Sequence, residues 1–153
     1  MKRTTIIEII SLLFVILFLY TSISKLMDYT VFKEQIAQSA ILAPVARWIA
    51  WILPISEILA AVLLFIPRWR LKGLYTALAL MLLFTGYIVA ILNFSKHVPC
   101  SCGGVLEALS WKAHLAFNGG LIALASTGVI LGRGLAVRNT TSKQSLSYNQ
   151  SIS

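Results

Sequence analysis

The chain has 153 residues, of which 58% are hydrophobic and 12% are charged, and its mean hydropathy is +0.84. Soluble domains carry about a quarter charged residues, so the composition excludes an ordinary soluble domain. About four membrane spans would take up most of the ordered chain, so we expect no additional soluble domain. The net charge of +8 does not indicate nucleic acid binding, because the basic residues stand in short clusters between apolar runs.

Four apolar runs are each long enough to cross a membrane, since about 20 helical residues span the hydrocarbon core. They cover residues 6–23, 45–66, 71–94 and 113–131. No small-residue cleavage site comes before Lys25, so we expect the first run to be retained and not removed as a signal peptide. Ser110 is a good N-cap for the fourth run. The sequence thus predicts an all-α, integral membrane four-helix bundle.

The segment between the first two spans has the pattern of a short amphipathic helix. Asp28 can cap it, and Phe32, Ile36 and Ala40 follow at i, i+4 and i+8 on one face. Charged and amide side chains occupy the other positions. This pattern predicts a helix that lies on the outer surface of the membrane.

The basic residues predict the orientation of the bundle, because the side richer in Lys and Arg faces the cytoplasm. One face holds eight of them, Lys2, Arg3, Arg68, Arg70, Lys72, Arg133, Arg138 and Lys143, and the other holds five, Lys25, Lys33, Arg47, Lys96 and Lys112. We therefore expect both termini in the cytoplasm, with the protein in the inner membrane of a bacterium. Residues 1–135 form the predicted membrane domain, and residues 136–153 are polar enough to predict a disordered cytoplasmic tail.

Both cysteines of the chain, Cys100 and Cys102, lie in the loop between the third and fourth spans. The predicted orientation places this loop outside, where thiols are expected to be paired, metal-bound or in redox exchange. A disulfide between residues i and i+2 closes a very small ring, and strained disulfides are the labile, catalytic kind. Pro99 before the pair and two glycines after it favour a tight reversal. We interpret the two cysteines as a candidate redox pair.

The loop also permits two other interpretations. The cysteines can belong to a Pro/Gly turn that a disulfide only rigidifies, and C-x-C is a less specific signal than C-x-x-C beside a thioredoxin pattern. Thiolates also favour Cu(I), with His97 or His114 as a further ligand, but a single C-x-C makes this the weakest interpretation. For the redox interpretation, His97 three residues before Cys100 can stabilise a thiolate when it is protonated.

Glu57 is an acidic residue inside the second span, about 18 Å from its outer start. An ionised carboxylate is costly there, so we expect Glu57 to be protonated or paired, and intramembrane acids are functional candidates. The alternative is a neutral carboxyl that is hydrogen-bonded to Tyr87, to Thr85 or to a carbonyl freed by Pro54.

Polar groups also mark the outer ends of the first and fourth spans. Lys25 is expected to extend to the interface or to pair with an acid such as Asp28. His114 and Asn118 are four residues apart and share a helix face. A neutral imidazole there can move protons for thiol chemistry, whereas a hydrogen bond between helices is the alternative, favoured for Asn118.

Several motifs follow one another along residues 5–132 in an order typical of one family. They are Ser24, Lys25, Leu26, Met27 and Asp28 with Phe32 downstream, then Pro54 and Glu57, then Phe84, Thr85, Gly86 and Tyr87, then Cys-Ser-Cys-Gly-Gly, and then Ser-Trp-Lys-Ala-His with Asn118. This series resembles the MauE family of methylamine utilisation proteins, within the wider DoxX-like membrane proteins.

The resemblance implies a four-helix bundle of the inner membrane that acts in methylamine metabolism. Its implied role is to form, isomerise or transport the disulfide-rich, exported small subunit of methylamine dehydrogenase. Cys100 and Cys102 are the positions to which the resemblance gives chemical meaning. The loop departs from the family pattern, because it ends in two glycines where members often carry a bulky residue before the glycine.

The leading functional hypothesis is a thiol:disulfide oxidoreductase that acts on exported proteins. Cys100 and Cys102 are its predicted catalytic pair, with His97, His114 and Glu57 as further candidates. The expected partner is an exported thioredoxin-like protein or a disulfide-containing substrate. The plan also resembles vitamin K epoxide reductase, which relays electrons between two cysteine pairs. With one pair, the thiols here would have to react directly with a bound quinone or with a thioredoxin-like protein.

Two hypotheses from other classes compete with this one. The protein can be a non-enzymatic membrane chaperone or complex subunit, in which the cysteines only brace the loop. It can also be a small metal-handling or solute-handling protein built around Glu57 and His114. Four short spans without a visible internal repeat argue against a conventional secondary transporter.

Overall fold

The computed structural model of the protein describes residues 2–38, 42–94 and 111–151. Within these ranges the chain is helical apart from short connections. The helices are α1 (Lys2–Met27), α2 (Tyr29–Ala37), a 3-10 turn (Ala43–Val45), α3 (Ala46–Phe65), α4 (Arg70–Phe94) and α5 (Trp111–Ser151). The predicted all-α class is confirmed.

Four helical stretches are long and apolar enough to cross a membrane. They are Arg3–Met27, Ala43–Phe65, Arg70–Ala90 and Ala113–Leu135, and they coincide with the four predicted spans. Helix α1 packs against α3 and α5, and α4 packs against the same two neighbours. The four helices therefore form a closed bundle, with α1 and α4 on opposite corners. The direction in which the bundle crosses the membrane stays a prediction.

Aromatic and aliphatic side chains fill the centre of the bundle. Phe14 and Phe18 of α1 are 0% and 1% exposed, and their ring centroids lie 5.7 Å apart. They pack with Leu64 of α3, Leu74 of α4 and Ala125 of α5 in one cluster. All four long helices thus contribute to a common core.

Large apolar side chains also cover the outside of the bundle. Ile9 of α1, Phe65 of α3, Leu83 of α4 and Ile130 of α5 are between 62% and 74% exposed. Soluble monomers rarely expose a contiguous apolar surface of this kind, whereas hydrocarbon solvates it at no cost. Together with the four spans, this surface makes the chain a multi-pass membrane protein.

Helix α2 confirms the short helix predicted between the first two spans. Its apolar residues Phe32 and Ile36 are 3% and 2% exposed and pack on Ala46 and Ala50 at the start of α3. The apolar face is therefore covered by α3, and the position of α2 on the outer surface of the membrane stays a prediction. Asp28 is the N-cap residue, but its side chain makes no capping hydrogen bond.

Helices α3 and α4 pack closely together beside the turn that joins them. A Cβ atom on Gly73 would lie 2.7 Å from the backbone N of Leu64 and 2.8 Å from the backbone C of Leu63. No side chain fits at that distance, so glycine is required for this contact. The helices start in backbone contact here, at the end of the bundle opposite to the connection between α4 and α5.

Helix α5 continues through residues 136–151, where the polar composition predicted a disordered tail. Extending a helix from an existing end needs no new nucleus, so a polar segment can remain helical when it follows a membrane span. The domain boundary at residue 135 stays a prediction.

Candidate functional site

A buried ion pair joins α1 to α3. The Nζ atom of Lys25 lies 2.6 Å from Oε1 of Glu57, and the two side chains are only 5% and 1% exposed. Two charges removed from water are stable only when they compensate each other closely. Lys25 therefore pairs with an acid, which is one of its two predicted alternatives, but the acid is Glu57 and not Asp28. The expectation that Glu57 is protonated or paired is met by the same contact.

Two aromatic rings flank the ammonium group of Lys25. The Nζ atom lies 5.8 Å from the ring centroid of Phe32 in α2 and 5.7 Å from that of Phe84 in α4. A cation within about 6 Å of a ring centroid is attracted by the negative face of the ring. Residues of α1, α2, α3 and α4 therefore converge on one buried cation.

The second carboxylate oxygen of Glu57 is unsatisfied. Oε2 is buried and has no hydrogen-bond partner among the described residues. The hydroxyl of Thr21 lies close enough to the Glu57 carboxyl to interact with it, although its hydrogen bond by distance and angle goes to the carbonyl oxygen of Phe18 at 3.3 Å. The hydroxyl of Thr85 donates to the carbonyl oxygen of Met81 at 2.8 Å. The predicted alternative of a Thr85 bond to Glu57 is thus not formed. A buried acceptor without a partner costs about 1–3 kcal/mol, so this oxygen can still gain from a donor.

The ion pair lines a cavity of about 370 Å³. The other polar side chains that line it are Thr21, Tyr87, His114 and Asn118, and the remaining lining residues are aliphatic or aromatic. His114 and Asn118 are 3% and 6% exposed, so the prediction that they share a face is confirmed. The six polar lining residues come from the four long helices, so no short sequence motif contains them all.

The cavity reaches the outer surface of the bundle. Ile52 of α3, Leu83 of α4 and Phe117 of α5 line it and are 59%, 68% and 41% exposed. All three belong to the apolar membrane-length stretches of their helices. Because these exposed side chains lie in the membrane-length stretches, we expect a molecule dissolved in the bilayer to reach the cavity from the side.

The cavity occupies the half of the bundle at which α4 ends and α5 begins. Its lining includes Ile88, six residues before the end of α4, and His114, three residues after the start of α5. The connection between Phe94 and Trp111 starts and returns at this end. Cys100, Cys102 and His97 belong to that connection and lie outside the described residues, as does the predicted N-cap Ser110.

In residues 2–38, 42–94 and 111–151, no three His, Cys, Asp or Glu side chains come together as a metal site. The carboxylate of Glu57 is already occupied on one oxygen by Lys25. The Cu(I) interpretation needs the cysteines together with His97 or His114, and it stays a prediction because the cysteines and His97 lie outside the described residues.

Sequence reasoning identified Glu57, His114 and Asn118 as candidates but missed the role of Lys25. The signal was present, because Lys25 and Glu57 are opposite charges on consecutive long helices, and a charge inside the membrane needs a partner. Lys25 lies two residues from the end of α1, and Glu57 lies eleven residues into α3. The two residues lie at different depths in their predicted spans, so the sequence did not indicate that they meet. They meet because the first turns of α3 extend past the end of α1 and pack on α2.

Four membrane-length helices around a buried ion pair and a cavity open to the bilayer define a multi-pass membrane protein with a polar centre. Residues 3–131 match the family model described as Methylamine utilisation protein MauE, and the chain belongs to this family. The match includes the ion pair, the cavity and the cysteine segment. Comparison with curated proteins and with solved structures found no match.

Proposed function

We propose that this MauE-family protein is a thiol:disulfide exchange factor for exported proteins, with Cys100 and Cys102 as its redox pair. The observation that carries the proposal is the position of the segment that contains both cysteines. It connects α4 to α5 at the end of the bundle where the buried polar centre and its cavity lie. In the predicted orientation this end faces the oxidising side of the inner membrane.

The exchange proceeds through a mixed disulfide. A thiolate of the exported protein attacks one sulfur of the Cys100–Cys102 disulfide, which breaks that bond and forms an S–S bond between the two proteins. The second thiolate of the exported protein then attacks its own half of the mixed disulfide. The exported protein leaves with a disulfide, Cys100 and Cys102 become thiols, and the two protons of the substrate thiols pass to them. His97 can hold one proton between these steps.

The family description suggests a substrate class. In a bacterium that oxidises methylamine, the proposed substrate is the exported, disulfide-containing small subunit of methylamine dehydrogenase. In other hosts, an exported thioredoxin-like protein is the proposed partner. Both substrates present cysteine pairs on the same side of the membrane, so one mechanism serves both.

Trapping the mixed disulfide tests the proposal. In a Cys102→Ser variant, the Cys100 thiolate can still attack the disulfide of an oxidised exported protein, which is the reverse of the second step and releases one thiolate of that protein. No Cys102 thiol remains to displace the exported protein from Cys100, so we expect a covalent adduct on a non-reducing gel. The Cys100→Ser/Cys102→Ser variant must lose the adduct and fail to complement a deletion strain. Ser101→Ala, the matched change inside the same loop, must complement it. Full complementation by the double serine variant would overturn the proposal.

A second candidate function is the binding or movement of a solute without thiol chemistry. The ion pair of Lys25 and Glu57 inside the cavity favours it, because buried charges in spans often mark solute pathways. Under this alternative, Glu57→Gln abolishes function whereas the double serine variant does not. The double serine variant therefore separates the two functions, because only thiol exchange requires the cysteines. A chaperone or complex subunit predicts instead that alkylating both cysteines leaves partner binding intact.

A further inference from the structure

The cavity selects for a ligand with an apolar body. Its volume of about 370 Å³ falls in the range of small-molecule sites, about 300–1,000 Å³. Its walls are mostly aliphatic and aromatic, and its opening beside Ile52 and Leu83 faces the hydrocarbon region. A strongly hydrated solute would have to shed its water to pass there. The ligand therefore comes from the bilayer.

The polar end of the cavity selects for a head group that both accepts and donates hydrogen bonds. The ammonium of Lys25 has three donors, and one of them is used on Oε1 of Glu57. Oε2 of Glu57 is a buried acceptor that lacks a donor among the described residues. Phe32 and Phe84 both line the cavity beside Nζ, so a flat ring at the polar end can pack against an aromatic side chain.

A quinone meets these requirements in both of its redox states. A carbonyl oxygen of the oxidised ring accepts a hydrogen bond from Lys25, and a hydroxyl of the reduced ring donates one to Oε2 of Glu57. Its isoprenoid tail is apolar and can leave the cavity through the side opening. A phospholipid lacks the flat ring and brings a hydrated, charged head group that an apolar passage excludes.

We infer that the cavity is a quinone site, with the quinone ring at Lys25 and Glu57, and that bound quinone reoxidises the thiols of Cys100 and Cys102. This inference rests on the proposed thiol exchange, which leaves these residues reduced after each turnover. Cys100 lies six residues beyond Phe94, and a chain of that length can span up to about 20 Å. The thiols are thus within chain reach of the cavity end of α4.

The reoxidation balances without another reactant. Two S–H bonds break and one S–S bond forms between Cys100 and Cys102, which releases two electrons and two protons. The quinone takes up both electrons and both protons, and its two carbonyl oxygens become the hydroxyls of a hydroquinone. The hydroquinone then leaves through the side opening into the bilayer.

Binding of decylubiquinone to the full-length protein in lipid nanodiscs tests the site. Saturable quenching of tryptophan fluorescence is the readout, since Trp51 on α3 packs against Tyr29 beside the cavity helices. Leu53→Phe narrows the cavity, and Lys25→Met/Glu57→Met removes the polar end. We expect each variant to weaken binding at least tenfold. Ile130→Phe, on a lipid-facing position that is 70% exposed, is the matched control and must bind as the wild type does.

Each result decides the inference. Absence of saturable binding to the wild type, or equal binding by Leu53→Phe, overturns the quinone site. Unchanged binding by a folded Lys25→Met/Glu57→Met variant overturns the placement of the ring. If the double variant does not fold, the result with Leu53→Phe stands on its own.

Reduction of the bound quinone separates this inference from the proposed function. The chemically reduced wild type should convert one decylubiquinone per protein, measured by the loss of quinone absorbance. The Cys100→Ser/Cys102→Ser variant should bind decylubiquinone normally but fail to reduce it. A wild type that forms the mixed disulfide with an exported protein but never reduces the quinone would keep the proposed function and overturn the electron transfer.

Discussion

Lys25 and Glu57 lie 32 positions apart in the chain, yet their side chains meet at 2.6 Å with almost no exposure to solvent. This contact ties the end of α1 to the middle of α3. It also places an amino group and a carboxyl group at the wall of a cavity that is otherwise mainly apolar. A pair in this position stabilises the fold and creates a polar site at the same time, and the two roles can be separated by substitution.

Removing one partner of this pair should destabilise the protein strongly. In Lys25→Met, the carboxylate of Glu57 stays buried without its counter-ion, and such a loss typically costs about 3–5 kcal/mol. We expect a large drop in the midpoint of thermal unfolding in detergent. Lys25→Met/Glu57→Met removes both charges and should recover much of the loss, because an apolar pair of similar size needs no compensation.

The second ion pair of the described chain is the control for this prediction. Arg70 of α4 and Glu8 of α1 are 3.4 Å apart, and their side chains are 19% and 54% exposed. Exposed pairs contribute little, so Arg70→Met should shift the unfolding midpoint only slightly. Equal shifts for Lys25→Met and Arg70→Met would contradict a special role for the buried pair.

The contact between α3 and α4 at Gly73 leads to a second prediction. Gly73→Ala places a methyl group where the backbone of Leu63 and Leu64 already lies, and overpacking of this kind costs about 1–3 kcal/mol. Gly86→Ala on the same helix is the matched control, since a Cβ there meets nothing within 4 Å. Thermal unfolding in detergent should show a loss for Gly73→Ala only. A Gly73→Ala protein as stable as the wild type would show that the helices can move apart freely.

The docking of α2 onto α3 leads to a third prediction. Phe32 is 3% exposed and packs on Ala46 and Ala50, whereas the neighbouring Val31 is 53% exposed. Burial of such a side chain contributes about 1.5–3 kcal/mol. Phe32→Ala should therefore speed amide hydrogen exchange in residues 29–37 about tenfold or more, and Val31→Ala should leave it unchanged. Similar exchange in both variants would mean that α2 is held by something other than this face.

The sequence predicted the spans well and the polar centre poorly, for a physical reason. A membrane span is a local property of the sequence, because each apolar run is long enough by itself to cross the hydrocarbon core. Helices α3 and α4 accordingly begin and end within one residue of the predicted runs. The pair of Lys25 and Glu57 depends on how far α3 extends past α1 and on the packing of α2. Those offsets come from side chains that meet only in the folded bundle.

The candidate residues of the cavity show the same division. His114 and Asn118 were predicted to share a face, because a spacing of four is a property of one helix. The placement of the Phe84 and Phe32 rings beside Lys25 depends on the packing of three helices, so no local pattern in the sequence predicts it. Sequence reasoning therefore found residues that belong to the site but not the arrangement that makes them a site.

The topology of the cysteine segment leads to the last prediction. Cys100 and Cys102 are the only cysteines of the chain, so a thiol reagent reports on this segment alone. In reduced, intact spheroplasts, a maleimide that cannot cross membranes should label the wild type and leave the Cys100→Ser/Cys102→Ser variant unlabelled. The basis is the excess of Lys and Arg on the face opposite to this segment. Labelling that appears only after the membrane is permeabilised would place the cysteines in the cytoplasm, where thiols are kept reduced. Thiol exchange with exported proteins would then be ruled out, because the cysteines and those proteins would lie on opposite sides of the membrane. The cavity and its access from the bilayer would be unaffected.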